Sequence, residues 1–169
     1  MSEFKVNTYT DGDQALPSIA ALSEGGFVVT WTSGYGNIYA QIFDNDGNKV
    51  NTENLVNTYT SGSQLGSIVA TLSNDNFVIT WASEEQDGSD FGVFAQIFDS
   101  SGNKIANELQ VNSYTDGEQW YQRVSPLSDG KFVISWHTQI TASRDIHAQI
   151  FDSSGNKIAS EFKVNINTE

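Results

Sequence analysis

The sequence predicts an all-β protein built from three copies of one four-stranded unit. The segment Val-Asn-Thr/Ser-Tyr-Thr occurs at positions 6–10, 56–60 and 111–115, and it starts again at Val164-Asn165. Successive copies are 50, 55 and 53 residues apart. A fixed period of this length is typical of repeat proteins, in which each unit buries its apolar faces against its neighbours. Because no stretch sustains an apolar period of 3.6 residues, we expect essentially no helix.

The strands of one repeat follow from alternation and turn residues. Gly, Asn and Asp mark two hairpin turns in each copy, because they accept the positive φ that tight turns need. Aromatic and β-branched residues favour strand between the turns. In the first repeat we predict strand A at 18–22, a turn at 23–26, strand B at 27–31, strand C at 38–43 and a turn at 44–48; strand D is the segment type seen at 3–7.

Both faces of strand B are apolar, which predicts how the repeats stack. Phe27, Val29 and Trp31 lie on one side, and Val28 and Thr30 lie on the other. A sheet covered on both faces is packed between neighbouring sheets. Four antiparallel strands per repeat of about 50 residues then resemble a blade of a β-propeller. A β-trefoil is the first alternative, and a β-solenoid is the second.

The tryptophan that ends strand B recurs in every repeat. We therefore expect three buried indoles in equivalent positions, at Trp31, Trp81 and Trp136. As one repeat domain over 1–169, the chain divides into repeats at 3–53, 54–108 and 109–161, and a fourth strand set starts at 162–169.

Three blades are fewer than the four to eight that propellers hold. We therefore expect a section of a longer array, a pairing of two copies into a six-bladed ring, or a closed three-unit fold. The fourth copy of strand D also needs a partner, because an unpaired strand edge promotes association.

Charge and composition exclude several functional classes. The chain has 21 acidic and 8 basic residues, a formal net charge of -13 and no cysteine. Nucleic acids and anionic membranes need clustered Lys and Arg, so neither is an expected partner. No apolar run approaches the roughly 18 residues of a membrane span, so membrane insertion is not expected either. This composition suits a secreted or cell-surface protein.

All length variation between repeats falls in the loop between strands B and C. The distance from the tryptophan of strand B to the next glutamine is 10, 15 and 13 residues. A variable loop beside the constant D–A loop is typical of a binding surface on a rigid scaffold. The alternative is that surface loops simply tolerate insertions.

The B–C loop of the second repeat is a candidate calcium site. Glu84, Asp87 and Asp90 are hard oxygen ligands of the kind that Ca²⁺ takes. A solvated acidic loop is the alternative. The turn at 44–48 resembles the opening of a calcium loop, but its twelfth position is Leu55 instead of a glutamate, which favours a hairpin turn.

The third repeat contains the candidate ligand site. Aromatic rings stack on the C–H faces of sugars, and amides and carboxylates bind hydroxyl groups, so aromatic and polar residues together suit a glycan. Packing of the two rings against the next unit is the alternative. The predicted set comprises Trp120 and Tyr121 as ring faces, Gln119 and Asp116 as hydrogen-bonding groups, and His137 and Arg144 as a cationic rim.

No catalytic motif is present in the sequence: it has no nucleophile elbow, no HExxH and no phosphate loop. The many carboxylates permit a glycosidase pair, but the sequence singles out no two of them. We therefore expect a protein that is not an enzyme.

The motifs Val-Asn-Thr-Tyr-Thr-x-Gly-x-Gln, Gly-Gly-Phe-Val-Val-Thr-Trp and Ala-Gln-Ile-Phe-Asp-x-x-Gly-Asn resemble tandem repeats of very large secreted bacterial surface proteins. Those proteins often also carry haemolysin-type calcium-binding repeats. The resemblance implies an extracellular, adhesin-like setting. The third repeat departs from the pattern at 123–126.

Together these observations predict a non-enzymatic binding or adhesion module with a glycan or another cell-surface ligand, no cofactor other than calcium, and further copies of the repeat as partners. The alternatives are a structural, self-assembling spacer and a glycoside hydrolase.

Overall fold

A computed structural model describes residues 3–34, 36–140 and 142–166. It confirms the all-β prediction, because its strands form three four-stranded antiparallel sheets in chain order. The one helical element of the described residues is a single 3₁₀ turn at Ser128–Gly130, inside a predicted hairpin turn.

The first blade contains β1 (Gln14–Ala21), β2 (Phe27–Ser33), β3 (Asn37–Phe43) and β4 (Lys49–Leu55). The second contains β5 (Gln64–Thr71), β6 (Phe77–Glu84), β7 (Phe91–Phe98) and β8 (Lys104–Gln110). The third contains β9 (Glu118–Pro126), β10 (Phe132–Gln139), β11 (Arg144–Phe151) and β12 (Lys157–Lys163).

The first strand of each blade begins earlier than the sequence predicts. In β1, Gln14 already pairs with Ser33, and the register shifts between Ala15 and Ser18. The residue at the shift, Leu16, has a φ of 54°. Such a bulge adds one unpaired residue and breaks the alternation of the strand, so the sequence pattern there suggested a loop.

The three tryptophans of strand B are buried, as predicted, with exposures of 4% for Trp31, 0% for Trp81 and 1% for Trp136. They define one face of each blade, which we call the tryptophan face. The tryptophan face of the second blade packs on Val28 and Ile38 of the first. The third blade packs on the second in the same way. We call the face that receives these contacts the receiving face.

The sequence contains four copies of strand D for three blades, and the first copy, not the fourth, is the one left without a blade. Phe162 and Lys163 pair with β11 as part of β12, so the last copy completes the third blade. The first copy, at 3–7, lies outside every described strand. It covers part of the first tryptophan face, where the rings of Phe4 and Phe43 are 5.5 Å apart. Residues 167–169 of the predicted fourth set lie outside the described residues.

An aspartate holds each C–D turn. The Asp44 carboxylate accepts hydrogen bonds from the backbone N–H groups of Asp46 and Asn48, at 2.9 and 2.8 Å, and from the Asn48 amide at 2.9 Å. The Asn48 side chain and backbone lower the pKa of Asp44. These carboxylate oxygens bind the turn itself, as expected for a hairpin turn.

Within the described part of the chain, no helix is long and apolar enough to cross a membrane.

Candidate active site at the propeller axis

The first strands of the three blades lie next to one another. β5 contacts both β1 and β9, so these inner strands surround the position of a propeller axis. Their bulges open a pocket of about 360 Å³. A volume in this range suits a small organic ligand. The pocket is lined by Leu16, Pro17, Leu65, Gly66, Ser67, Ile68, Ala82, Trp120, Tyr121, Gln122 and Arg123.

Trp120 and Tyr121, the predicted aromatic pair, line this pocket but differ in role. Both lie in β9 and not in the D–A loop that the sequence suggested. The Trp120 indole packs on Phe91 of the second blade, with ring centroids 4.0 Å apart. Tyr121 has a φ of 54° at the bulge and is 70% exposed. Trp120 is therefore both pocket lining and inter-blade packing, whereas Tyr121 offers an open ring.

A smaller cavity of about 180 Å³ adjoins the aromatic pair on the side of the third blade. It brings together four of the six predicted ligand-binding residues. The rings of Tyr121 and His137 are 5.0 Å apart. The Arg144 Nε donates to the Gln139 side-chain oxygen at 2.7 Å. The cavity is lined by Glu118, Trp120, Tyr121, His137, Gln139 and Arg144.

His137 is held towards its neutral form. Burial lowers the pKa of His137, and the positive charge of Arg144 lowers it further, while Glu118 acts in the opposite direction. A neutral imidazole both donates and accepts a hydrogen bond. Of the two residues of the predicted cationic rim, Arg144 keeps its charge at every relevant pH, and the lowered pKa of His137 favours its neutral form.

The other two predicted ligand-binding residues line neither cavity and form hydrogen bonds within the third repeat. Gln119 is fully buried; its Oε1 accepts from Asn112 at 3.1 Å and its Nε2 donates to the Asp116 carbonyl at 3.0 Å. The Asp116 carboxylate accepts from the Tyr114 hydroxyl at 3.0 Å. Gln119 recurs as Gln14 and Gln64 because each repeat uses it to hold the connection into its inner strand.

Glu118 is the site residue that sequence reasoning missed. The position before the repeated glutamine is Asp13 in the first repeat, Ser63 in the second and Glu118 in the third. Since inner strands of equivalent blades start at the same end, both carboxylates lie at that end of their blades, with β5 between β1 and β9. Glu118 is half-buried and Asp13 is exposed. A comparison of the three repeats at this position could have identified Glu118 from the sequence.

Two of the three predicted calcium ligands accept hydrogen bonds from the protein through their side chains. A Glu84 oxygen accepts from the Ser63 N–H at 2.9 Å, and an Asp87 oxygen accepts from the Asn112 amide at 2.9 Å. The carbonyl of Asp90 accepts from the loop N–H of residue 85 at 2.6 Å. Across 3–34, 36–140 and 142–166, no group of three or more His, Cys, Asp or Glu could hold a metal ion. Calcium binding at this loop stays a prediction.

Comparisons with known proteins identify the fold. No protein-family model and no curated protein matches the chain. Among solved structures it is similar to the endo-arabinase of Bacteroides thetaiotaomicron, at 14% identity and a TM-score of 0.60, over 96% of this chain and 66% of that one. It is similar to the α-L-arabinanase of Penicillium chrysogenum in complex with arabinobiose, at 13% identity and a TM-score of 0.65, over 94% of this chain and 52% of that one. A third is an N-acetylgalactosamine deacetylase of F. plautii in complex with blood group B trisaccharide, at 11% identity and a TM-score of 0.64, over 96% of this chain and 56% of that one.

The likeness establishes the architecture. At these identities it shows the fold alone, and the arabinan-cleaving structures are five-bladed β-propellers. The chain spans about half to two thirds of the three structures it is compared with.

The same comparisons contradict the expectation of a non-enzymatic binding or adhesion module. Several similar structures are enzymes, among them two arabinan-cleaving enzymes, an α-L-arabinofuranosidase and a deacetylase, so the inference from a repeat architecture to a non-enzymatic scaffold was wrong. The chain is a three-bladed β-propeller arc with an aromatic pocket between its inner strands and a smaller, carboxylate-bearing cavity beside that pocket.

Proposed function

We propose that this chain binds and cleaves carbohydrate as a β-propeller of the glycoside hydrolase type. One observation carries the proposal: the smaller cavity, next to the pocket that the inner strands share, places an open tyrosine ring beside a half-buried glutamate. Two of the similar structures are named as arabinan-cleaving enzymes, and one of these holds arabinobiose.

The pocket suits a neutral oligosaccharide. The exposed Tyr121 ring offers a flat apolar surface for the C–H face of a sugar. Arg144 and Gln139, which already hydrogen-bond to each other, offer donors and an acceptor for hydroxyl groups. The formal charge of -13 disfavours polyanionic substrates through repulsion.

Asp13 and Glu118 are the proposed carboxylate pair. Glu118, half-buried beside the rings, would protonate the glycosidic oxygen as that carbon–oxygen bond breaks. Asp13, which is exposed to solvent, would take a proton from the water whose oxygen bonds to the anomeric carbon. The substrate gains one water, and both carboxyl groups regain their protonation by exchange with solvent.

Release of reducing sugar from arabinan and from a panel of neutral polysaccharides tests the proposal. We expect Glu118→Gln and Asp13→Asn each to lower the rate by about 10²–10⁴-fold, the usual contribution of a general acid or base. Asp75→Asn is the matched control, because Asp75 lies in the A–B turn at the opposite end of the blade and its φ of 66° suits asparagine. Absence of hydrolysis together with absence of calorimetric binding of arabinobiose and larger fragments would contradict it.

A secreted or cell-surface location is part of the proposal. It is supported by the acidic, cysteine-free composition and by the extracellular setting of the repeats that the chain resembles. Detection of the native protein in washed-cell and culture-medium fractions tests it, and a purely cytosolic signal would contradict it.

A further inference from the structure

The tryptophan face of the first blade is open near the axis. Ile19 pairs with Val29 on this face, and Val69 is the residue at the same position of the second blade. Ile19 is 65% exposed, whereas Val69 is 6% exposed because the first blade covers it. The two positions have the same chemistry, and only the presence of a preceding blade distinguishes them.

The receiving face of the third blade is open in the same sense. Ile38 and Val93 are fully buried under the next blade, but Ile146, at their position in the third blade, is 42% exposed. Val56 is fully buried as well, whereas its equivalent Val164 is 53% exposed. Exposed aliphatic side chains gathered on one sheet face mark an interaction surface.

We propose that a second copy of this chain covers both open faces and closes a six-bladed ring. At each internal junction a tryptophan face packs on a receiving face, so the first blade of one copy fits the third blade of the other. A head-to-tail contact of this kind either closes a ring or propagates. Two copies complete six blades, within the four to eight that propellers hold, and leave no face open.

Two segments compete for one position on the tryptophan face of the first blade. Val56 and Val111 pack on the tryptophan faces of the second and third blades. Val6 packs on the tryptophan face of the first blade in the same way. In the ring, Val164 of the second copy takes that position, so the segment at 3–7 has to leave. This segment therefore competes with ring closure.

Ring closure also completes the axial site. At the junction of the second and third blades, Trp120 lies against Phe91, and Ala82 lines the same pocket. The residues equivalent to Phe91 and Ala82 in the third blade are Arg144 and His137. The residue equivalent to Trp120 in the first blade is Ala15. The small Ala15 of the second copy would face Arg144 and His137, and it would leave room for a ligand beside Tyr121.

Sedimentation equilibrium of the full 169-residue chain tests the proposal. We expect a mass twice the 18.5 kDa of one chain. Ile19→Glu or Ile146→Glu alone places a carboxylate in both junctions and should raise the dissociation constant about 30-fold or more, the equivalent of one interface hot spot of about 2 kcal/mol. Ile140→Glu is the matched control, because Ile140 is an exposed isoleucine of the B–C loop, outside the strands that form the faces.

The competing segment supplies a second measurement. Removal of residues 1–7 should lower the dissociation constant, because it frees the position that Val164 of the second copy takes. Circular dichroism melts of dilute samples show that each variant is folded. Each of four results would overturn the ring. They are a monomer at about 100 μM, a ladder of higher oligomers, a dimer that neither glutamate variant weakens, and a truncated chain that associates more weakly. None of these results depends on hydrolytic activity.

Discussion

The indole of Trp120 packs on the ring of Phe91 across the junction between the second and third blades, with centroids 4.0 Å apart. The next residue in the chain, Tyr121, is largely exposed, and its ring lies 5.0 Å from the ring of His137 between centroids. We therefore expect Trp120 to stabilise the junction between blades and Tyr121 to bind ligand, and substitution of each residue tests its role.

Tyr121→Ala should weaken binding of arabinobiose and arabinan without lowering the melting temperature. An exposed ring contributes little to folding, while an aromatic anchor contributes on the order of 2 kcal/mol to binding, or about 30-fold. Calorimetry and a thermal melt of the same sample measure both effects. Unchanged affinity would remove Tyr121 from the site.

Trp120→Ala, in contrast, should lower the free energy of unfolding by about 3–5 kcal/mol, because it opens a cavity against Phe91. Urea denaturation followed by circular dichroism measures it. Leu127→Ala on the open receiving face is a control with a smaller expected loss, since Leu127 is exposed. A denaturation midpoint equal to wild type would show that Trp120 does not seal the junction.

Trp81→Ala should be among the most damaging substitutions in the second blade. Its indole is fully buried in the cluster between the first and second blades, so its removal should cost about 3–5 kcal/mol. The denaturant midpoint should fall while the slope stays unchanged. An unaltered midpoint would mean that the tryptophan face is not core.

Acid should destabilise the protein through its C–D turns. The pKa of Asp44 and of Asp152 is lowered mainly by the side chains of Asn48 and Asn156; in Asp99 burial opposes the shift, but hydrogen bonds from the turn prevail. Groups with a lowered folded-state pKa stabilise the fold above their unfolded pKa of about 4, and this stability is lost as the pH falls through the folded pKa.

The melting temperature should therefore decline steadily as the pH falls below about 5. The triple variant Asp44→Asn, Asp99→Asn, Asp152→Asn should be less stable at neutral pH and show a flatter acid profile. Profiles of equal slope for variant and wild type would assign the acid sensitivity to other carboxylates.

Calcium removal should leave the melting temperature unchanged, because protein N–H groups already occupy oxygens of Glu84 and Asp87. Melts in EDTA and in millimolar CaCl₂ measure this, with MgCl₂ as the ionic control. An increase specific to CaCl₂, abolished in Asp87→Asn, would establish the calcium site that the acidic loop predicts.

The repeats made the fold predictable, but the site only partly so. Three aligned copies revealed the strand order and the buried tryptophans, since core positions must recur in every blade. Gln119 was predicted to bind the ligand because it precedes the aromatic pair, whereas in the structure it makes the same hydrogen bond to its own connection that the other two repeats make. Glu118 was overlooked although the residue before the repeated glutamine differs between the repeats, a difference that a comparison of the three copies reveals. The bulge at Tyr121 escaped prediction because alternation does not reveal one unpaired strand residue.

The sequence by itself determined the blade: its period, its turns, and the two apolar faces of each sheet are local patterns that any copy contains. Only the tertiary structure decided which side chains meet at the axis and which faces stay open. Those properties depend on contacts between residues of different blades, such as Trp120 with Phe91. Ile19 and Val69 have equivalent places in the repeat, yet one is exposed and the other is buried. Whether such a residue is buried depends on whether another blade packs on it, and the local sequence pattern of one repeat does not contain that information.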